Sequence, residues 1–257
     1  MTMPTLESDL VLVNNTESVM EITLNRPDKL NALTNAMYRD LVKLLKAAEQ
    51  NEAIHVVLFR GEGKSFSAGN DLVDFLNATP GEAGGAAHFI QAIHDFPKVV
   101  VAAVQGNAVG LGTTMLLHMD LVVASADAKL VTPFVDLGVA SEAGSSKLLP
   151  AWIGYQRAAR MLLLGEPMLA QEALEIGLVA KVVEREELDA TARNMAAILA
   201  KKPPRALQAS KRLMRESINK PLHQVIKEDL ALFAEMLQGD EAKGVIAAMV
   251  NKSKGSK

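Results

Sequence analysis

Val99-Val100-Val101-Ala102-Ala103-Val104, running directly into Gln105-Gly106-Asn107-Ala108-Val109-Gly110-Leu111-Gly112-Thr113, is the stretch that decides the architecture. An unbroken apolar, Val-rich run has no polar face to offer solvent, so it reads as a strand covered on both sides. It is far too short to span a bilayer. The glycines that follow make a turn, and a short helix is predicted over Thr113–Met119.

Working outward, the same alternation of strand and helix recurs. Leu10–Val13 and Val19–Leu24 read as strands joined by a turn at Asn14-Asn15-Thr16. Thr34 can cap a helix reaching Gln50, with Met37, Leu41, Leu44, Leu45 and Ala48 as its apolar stripe. Ile54–Phe59 is a strand ending at Gly61-Glu62-Gly63, Leu121–Ala124 is another, and Lys129–Thr132 is a short extended piece before Pro133. The pattern predicts an α/β layered fold.

From Gly144 onward helical patterns take over, at Gly144–Leu164, Ala170–Ile176, Glu186–Leu199, Pro204–Ser217, Leu222–Leu237 and after Asp240, with Val179–Val183 as one late strand. The reading is a core of residues 1–195 and a helical region of residues 196–257. The apolar Leu230, Leu232, Phe233, Met236 and Leu237 are expected to pack on another subunit. Thr79–Ala87, rich in Gly and Ala, is expected to be a loop.

The bulk numbers exclude several classes. The chain has 257 residues, 49% hydrophobic and 22% charged, with a net charge of -3. That is ordinary globular composition, with no basic field for nucleic acid or an anionic membrane. It has no cysteine, hence no disulfide framework and no thiolate chemistry. The N-terminus lacks a signal-peptide pattern and the C-terminal Gly255-Ser256-Lys257 is not a peroxisomal address, so a cytoplasmic location is expected. The five histidines show no metal-ligand spacing, so no metal is expected.

Two glycine turns remain as candidates for chemistry. One is Ser65-Phe66-Ser67-Ala68-Gly69-Asn70-Asp71-Leu72; the other is Gly110-Leu111-Gly112. Gly63-Lys64-Ser65 is no phosphate loop, because Leu58 stands where the first glycine is needed. The glycine order at residues 106–112 does not fit a dinucleotide fingerprint either. Main-chain N–H groups at such turns can hold a developing oxyanion, and losing one donor of that kind costs about 2.7–4 kcal/mol of barrier. Each turn alone is equally compatible with a tight turn that binds nothing.

Together, Asn25-Arg26-Pro27-Asp28-Lys29-Leu30-Asn31-Ala32-Leu33, the Phe66–Leu72 segment, the Gly106–Gly112 segment and the stretch from Gly165 to Val183 resemble, in order and spacing, the crotonase (enoyl-CoA hydratase/isomerase) superfamily. The resemblance covers most of the chain. It implies a spiral of ββα units with a C-terminal trimerisation region, and a homotrimer or a dimer of trimers. It implies an acyl-CoA thioester as substrate, with no cofactor beyond the coenzyme A of the substrate itself. The N–H groups of Ala68 and Leu111 are expected to hold the thioester oxygen. Lys29, Leu30, Ala68, Gly69, Asn70, Asp71, Leu72, Gly112 and Phe134 are expected to line the substrate site. Phe75 joins Leu72 and Phe134 as a candidate for the acyl wall, and Phe233, Lys252 and Lys254 are candidates for closing the CoA side.

Enoyl-CoA hydratases resemble one another in using two glutamates. The matching positions here are Thr114 and Phe134, neither of which is a base at neutral pH. A different carboxylate stands in Leu137-Gly138-Val139-Ala140-Ser141-Glu142-Ala143-Gly144, a stretch similar to peroxisomal-type Δ3,Δ2-enoyl-CoA isomerases and their bacterial relatives. There the acid at the position of Glu142 is the base. Moving a double bond from C3 to C2 needs only one group that carries a proton from C2 to C4. The alternatives are a hydratase or another lyase of the same fold, and an acyl-CoA-binding scaffold without catalysis. Glu142 could otherwise be a helix-capping acid. Asp136 is a second carboxylate that could face the pocket, and Asn70 is expected to hydrogen-bond the acyl end or Glu142. Asp71 is expected to order the turn.

Overall fold

The computed structural model describes residues 4–76, 84–217, 239, 240 and 244. The chain divides into two compact units, residues 1–199 and 200–257.

The first unit begins with a hairpin of β1 (Val11–Thr16) and β2 (Val19–Leu24), with Thr16 opposite Val19. The turn is therefore Glu17-Ser18, not Asn14-Asn15-Thr16. A two-residue hairpin needs left-handed backbone to match the strand twist, and Glu17 supplies it at φ 52°. Asn14 and Asn15 are strand residues on the exposed end of the hairpin, where polar side chains masked their extended conformation.

Helix α1 (Asn35–Gln50) starts where expected, with Thr34 Oγ1 accepting the Met37 N–H at 3.3 Å. Its predicted stripe is buried, and Tyr38 and Asp40 are buried with it. Strand β3 (Val56–Gly61) lies parallel to β2. After α2 (Leu72–Leu76) comes α3 (Gly85–Asp95), so the end of the expected 79–87 loop is already helical; residues 77–83 lie outside the described residues.

Strand β4 (Val99–Val104) has the predicted bounds, and every residue of it is buried. Burying a Val side chain contributes about 1.5–3 kcal/mol, so this strand is a firm platform for the turn at its end. There β5 (Asn107–Val109) leads to α4 (Leu111–Thr114), continued by a 3-10 turn over Met115–His118. The helix starts two residues earlier than predicted because Gly110, at φ 54°, completes the turn before Leu111. Next come β6 (Leu121–Ser125) and β7 (Lys129–Val131). The helical stretch expected over 144–164 is two helices, α5 (Ser145–Ile153) and α6 (Tyr155–Leu162), separated at Gly154 with φ 81°. Then follow β8 (Met168–Leu169), α7 (Ala170–Glu175), β9 (Lys181–Val183) and α8 (Leu188–Ala200). In the second unit α9 (Pro204–Ser217) has the predicted bounds. The expected helices at 222–237 and beyond 240, and the apolar residues named there, lie outside the described residues.

The larger sheet has the order β1-β2-β3-β4-β6-β9, parallel except for the first pair. The smaller sheet has the order β5-β7-β8. Strands β4 and β6 in the large sheet are each followed by a short strand, β5 and β7, in the small one, and then by helix. That repeated step from sheet to sheet to helix is the expected ββα spiral. Single parallel bridges, Leu33 with Asn70 and Ser67 with Ala108, add two more extended segments beside the small sheet. Among the described residues no helix is long and apolar enough to cross a membrane.

Candidate active site

The two glycine turns meet. Phe66 N–H donates to the Gln105 carbonyl at 2.8 Å, Ser67 N–H to Asn107 at 3.2 Å, and Val109 N–H back to Ser67 at 2.9 Å. Two glycines permit this approach. A Cβ on Gly69 would stand 2.5 Å from the Val109 carbonyl oxygen and 3.5 Å from the Leu111 nitrogen, and one on Gly112 would stand 2.6 Å from the Ser67 oxygen. Beneath them the Ser67 hydroxyl donates to the Asn31 carbonyl at 2.9 Å and accepts the Gly69 N–H at 3.1 Å. Thr113 Oγ1 ties the start of α4 to Ala108 and Val131.

One expected oxyanion donor is not available. Ala68 N–H donates to the Leu30 carbonyl at 2.8 Å. Leu30 is left-handed at φ 51°, which swings that carbonyl toward the Ala68 segment. The free donor is two residues on. Leu33 bonds to both neighbours of Asn70, taking the Gly69 carbonyl at 2.7 Å and the Asp71 N–H at 2.9 Å. In a parallel ladder this turns the N–H of Asn70 itself to the opposite edge. That N–H and the Leu111 N–H, first in its helix and so without an intrahelical acceptor, find no acceptor among the described residues. The sequence offered no signal for the choice between Ala68 and Asn70, since every non-proline residue carries an N–H.

Glu142 precedes α5 on a strained turn, with Ala143 at φ 52° and Gly144 at φ 67°. The turn is pinned on both sides. The Ser145 N–H and hydroxyl both donate to the Glu142 carbonyl, at 2.9 and 2.6 Å, and His118 Nε2 lies 2.9 Å from the Ala143 carbonyl. The cap position of α5 is Gly144, without any side-chain cap bond, so Glu142 is not a capping acid. Its Oε1 is buried and has no hydrogen-bond partner among the described residues. Burial pushes its carboxyl above the ordinary glutamate range, and the Asn70 amide beside it partly opposes the shift.

The other expected residues sort as follows. Lys29 ends a short 3-10 turn, and Leu30 reaches the Ala68 segment through its carbonyl. Asp71 orders the turn as expected. Its Oδ1 accepts the Val73 and Asp74 N–H groups and its Oδ2 meets Arg26 Nη1 at 2.6 Å, which holds its carboxyl below the usual range. Phe134 is buried, but Leu72 is 59% exposed and forms no buried wall. The side chain of Phe75, like Phe233, Lys252 and Lys254, lies outside the described residues. Thr114 is buried, and its hydroxyl has no partner among the described residues. Asp136 is exposed, its carboxylate against Gly165, which leaves the half-buried Glu142, with its buried Oε1, as the acid at the site. Tyr38 was absent from the sequence reading; its hydroxyl donates to Asn70 Oδ1 at 2.5 Å.

A ββα spiral whose two glycine turns meet, with the half-buried carboxyl of Glu142 beside Asn70, defines a crotonase-fold protein. The profile of the Enoyl-CoA hydratase/isomerase family matches residues 14–256, and the chain belongs to that family. Rat enoyl-CoA delta isomerase 2 is 35% identical over 253 residues; the match takes in 96% of this chain but 64% of that protein, so the chain spans less than two thirds of this relative. The 2,3-dehydroadipyl-CoA hydratase of Escherichia coli K12 is 32% identical over 94% of this chain and 96% of its own. A solved structure from Magnetospirillum magneticum AMB-1, provisionally described as an enoyl-CoA hydratase/carnithine racemase, shares 40% identity with a TM-score of 0.92, covering 95% of this chain and 97% of that one.

Proposed function

We propose that the protein is a Δ3,Δ2-enoyl-CoA isomerase. The thioester oxygen of a 3-enoyl-CoA accepts the N–H groups of Asn70 and Leu111. Their dipoles lower the cost of enolate formation. Glu142 removes a proton from C2, the electrons spread over the dienolate, and the same carboxyl returns the proton at C4, leaving the double bond at C2. No atom is gained or lost, and no cofactor is needed beyond the coenzyme A of the substrate.

The observation that carries this reading is the isolation of Glu142. A carboxyl with a buried, unpartnered oxygen and a raised proton affinity is poised to exchange a proton with carbon. Thr114, at the position where a hydratase is expected to carry a glutamate, offers no second acid to position water. The name of the rat relative supports isomerisation; that of the Escherichia coli relative keeps hydration as the competing outcome. Exposed Val135, Leu137, Leu163, Leu164 and Leu169 support the expected homotrimer or dimer of trimers, which a sedimentation measurement checks.

The test is to incubate the protein separately with 3-hexenoyl-CoA and 2-hexenoyl-CoA. Isomerisation of the first is expected, with loss of about 100-fold or more in Glu142→Gln, the usual scale for a proton-transfer group. Rapid hydration of 2-hexenoyl-CoA without isomerisation of 3-hexenoyl-CoA overturns the reading. Binding of acyl-CoA without either reaction points to the scaffold.

A further inference from the structure

We propose that Tyr38 is a positioning residue for the Glu142 carboxylate, its hydroxyl fixing which way round the Asn70 amide faces that carboxylate. The inference rests on Glu142 being the base.

The argument starts from the packing of α1. Tyr38 is 2% exposed, and its ring lies 5.9 Å from that of Phe89. This contact holds the ring independently of the hydroxyl. The hydroxyl points out of the core to Asn70 Oδ1. Burial first, then the charges of Glu142 and Asp74, push the phenol well above its ordinary range, so it stays protonated and can only donate in this contact. An amide that accepts through its oxygen on one side presents its NH2 on the other. The NH2 of Asn70 is therefore the end turned to the Glu142 carboxyl, whose ionised form the amide favours.

Without the Tyr38 hydroxyl either orientation of the amide is open. A turned amide would set its oxygen against the carboxylate and raise its proton affinity further. Asn70 also carries the proposed main-chain oxyanion donor, so the one hydrogen bond from α1 steadies both halves of the site. Charged and ionisable groups near the pair include Asp74 on α2, Asp71 with its Arg26 partner, and His118, which lies against the Ala143 carbonyl with the His94 ring of α3 edge-on to it at 5.3 Å.

The test compares pH–rate profiles for 3-hexenoyl-CoA in the wild type, Tyr38→Phe and Glu142→Gln. Phe keeps the ring against Phe89. In Tyr38→Phe, kcat is expected to fall by about 10- to 100-fold, the scale of a loosened catalytic group. The acidic limb should move to higher pH while KM holds within about twofold. Glu142→Gln separates the two readings. If it retains full activity, the base assignment fails and takes this proposal with it. If it is inactive while Tyr38→Phe keeps the wild-type acidic limb, the positioning role alone is overturned. A second probe avoids removing the hydroxyl. The chain has two tyrosines, so 3-fluorotyrosine incorporated into a Tyr155→Phe protein changes only the Tyr38 phenol. A stronger donor should move the limb to lower pH, and an unmoved limb overturns the proposal.

Discussion

Gly69→Ala tests whether the contact between the two turns sets the oxyanion geometry. Gly69 has φ +83°, and a Cβ there would meet the Val109 carbonyl oxygen at 2.5 Å. Left-handed backbone costs a non-glycine residue about 1–2 kcal/mol. Carbon and oxygen also need roughly 0.9 Å more separation than that, since ordinary contact begins at about 3.4 Å. The turn carrying Asn70 and the turn carrying Leu111 must then part by a comparable amount, because neighbouring bonds to Leu33 and Ser67 anchor both. Displacing a donor this far forfeits most of its hydrogen bond to the thioester oxygen, and one donor is worth about 2.7–4 kcal/mol, or 100- to 1000-fold in kcat. The strain should lower Tm by about 2–8 °C, at the roughly 2–4 °C per kcal/mol usual for a chain of this size. The control is Gly138→Ala, where φ is +70° but nothing lies within 4 Å. It carries the strain without the push, so it should lose stability and keep its rate. The assay is kcat with 3-hexenoyl-CoA beside a thermal melt. Equal kcat in Gly69→Ala and the wild type, with the protein folded, would refute the reasoning.

Two further outcomes follow from the buried polar atoms. Burial raises the Glu142 carboxyl from its ordinary 4.5, so the native state holds that proton more tightly than the unfolded chain. Stability from this group is greatest below 4.5 and declines as pH rises through the raised folded value. Glu142→Gln should therefore leave Tm unchanged in acid and raise it by a few degrees at pH 8; a lower Tm at both pH values would sink the idea. Thr114→Val removes a buried hydroxyl without a described partner in favour of an isostere, so stability should hold or gain about 1 kcal/mol and kcat stay within about twofold. A tenfold loss of kcat would mean that the hydroxyl touches the reacting groups.

Much of this was legible in the chain because the core is periodic. The stripe of α1 and the unbroken run of β4 are direct readouts of burial, and both have the structure expected. What escaped was set by backbone direction. Leu30 turning its carbonyl onto Ala68, and Leu33 pairing around Asn70, decide which N–H is free, and neither leaves a mark in residue type. Tyr38 escaped for a different reason. An aromatic residue beside an apolar helix stripe reads as core, and its ring is core; only the direction of its hydroxyl gives it a role. The hairpin turn was misplaced because exposed asparagines at a strand end look like a turn.

The site draws on two kinds of chemical inheritance. In the proposed mechanism the oxyanion donors belong to the main chain, at Asn70 and Leu111, where any residue but proline keeps the N–H. The proposed proton chemistry belongs to side chains, at Glu142, the Asn70 amide and Tyr38, where a substitution removes the group itself. Mutation of those side chains can therefore change how protons leave and reach the substrate while the donors that stabilise an enolate stay intact. The fold protects the means of holding the charge and leaves the means of moving the proton free to be rewritten.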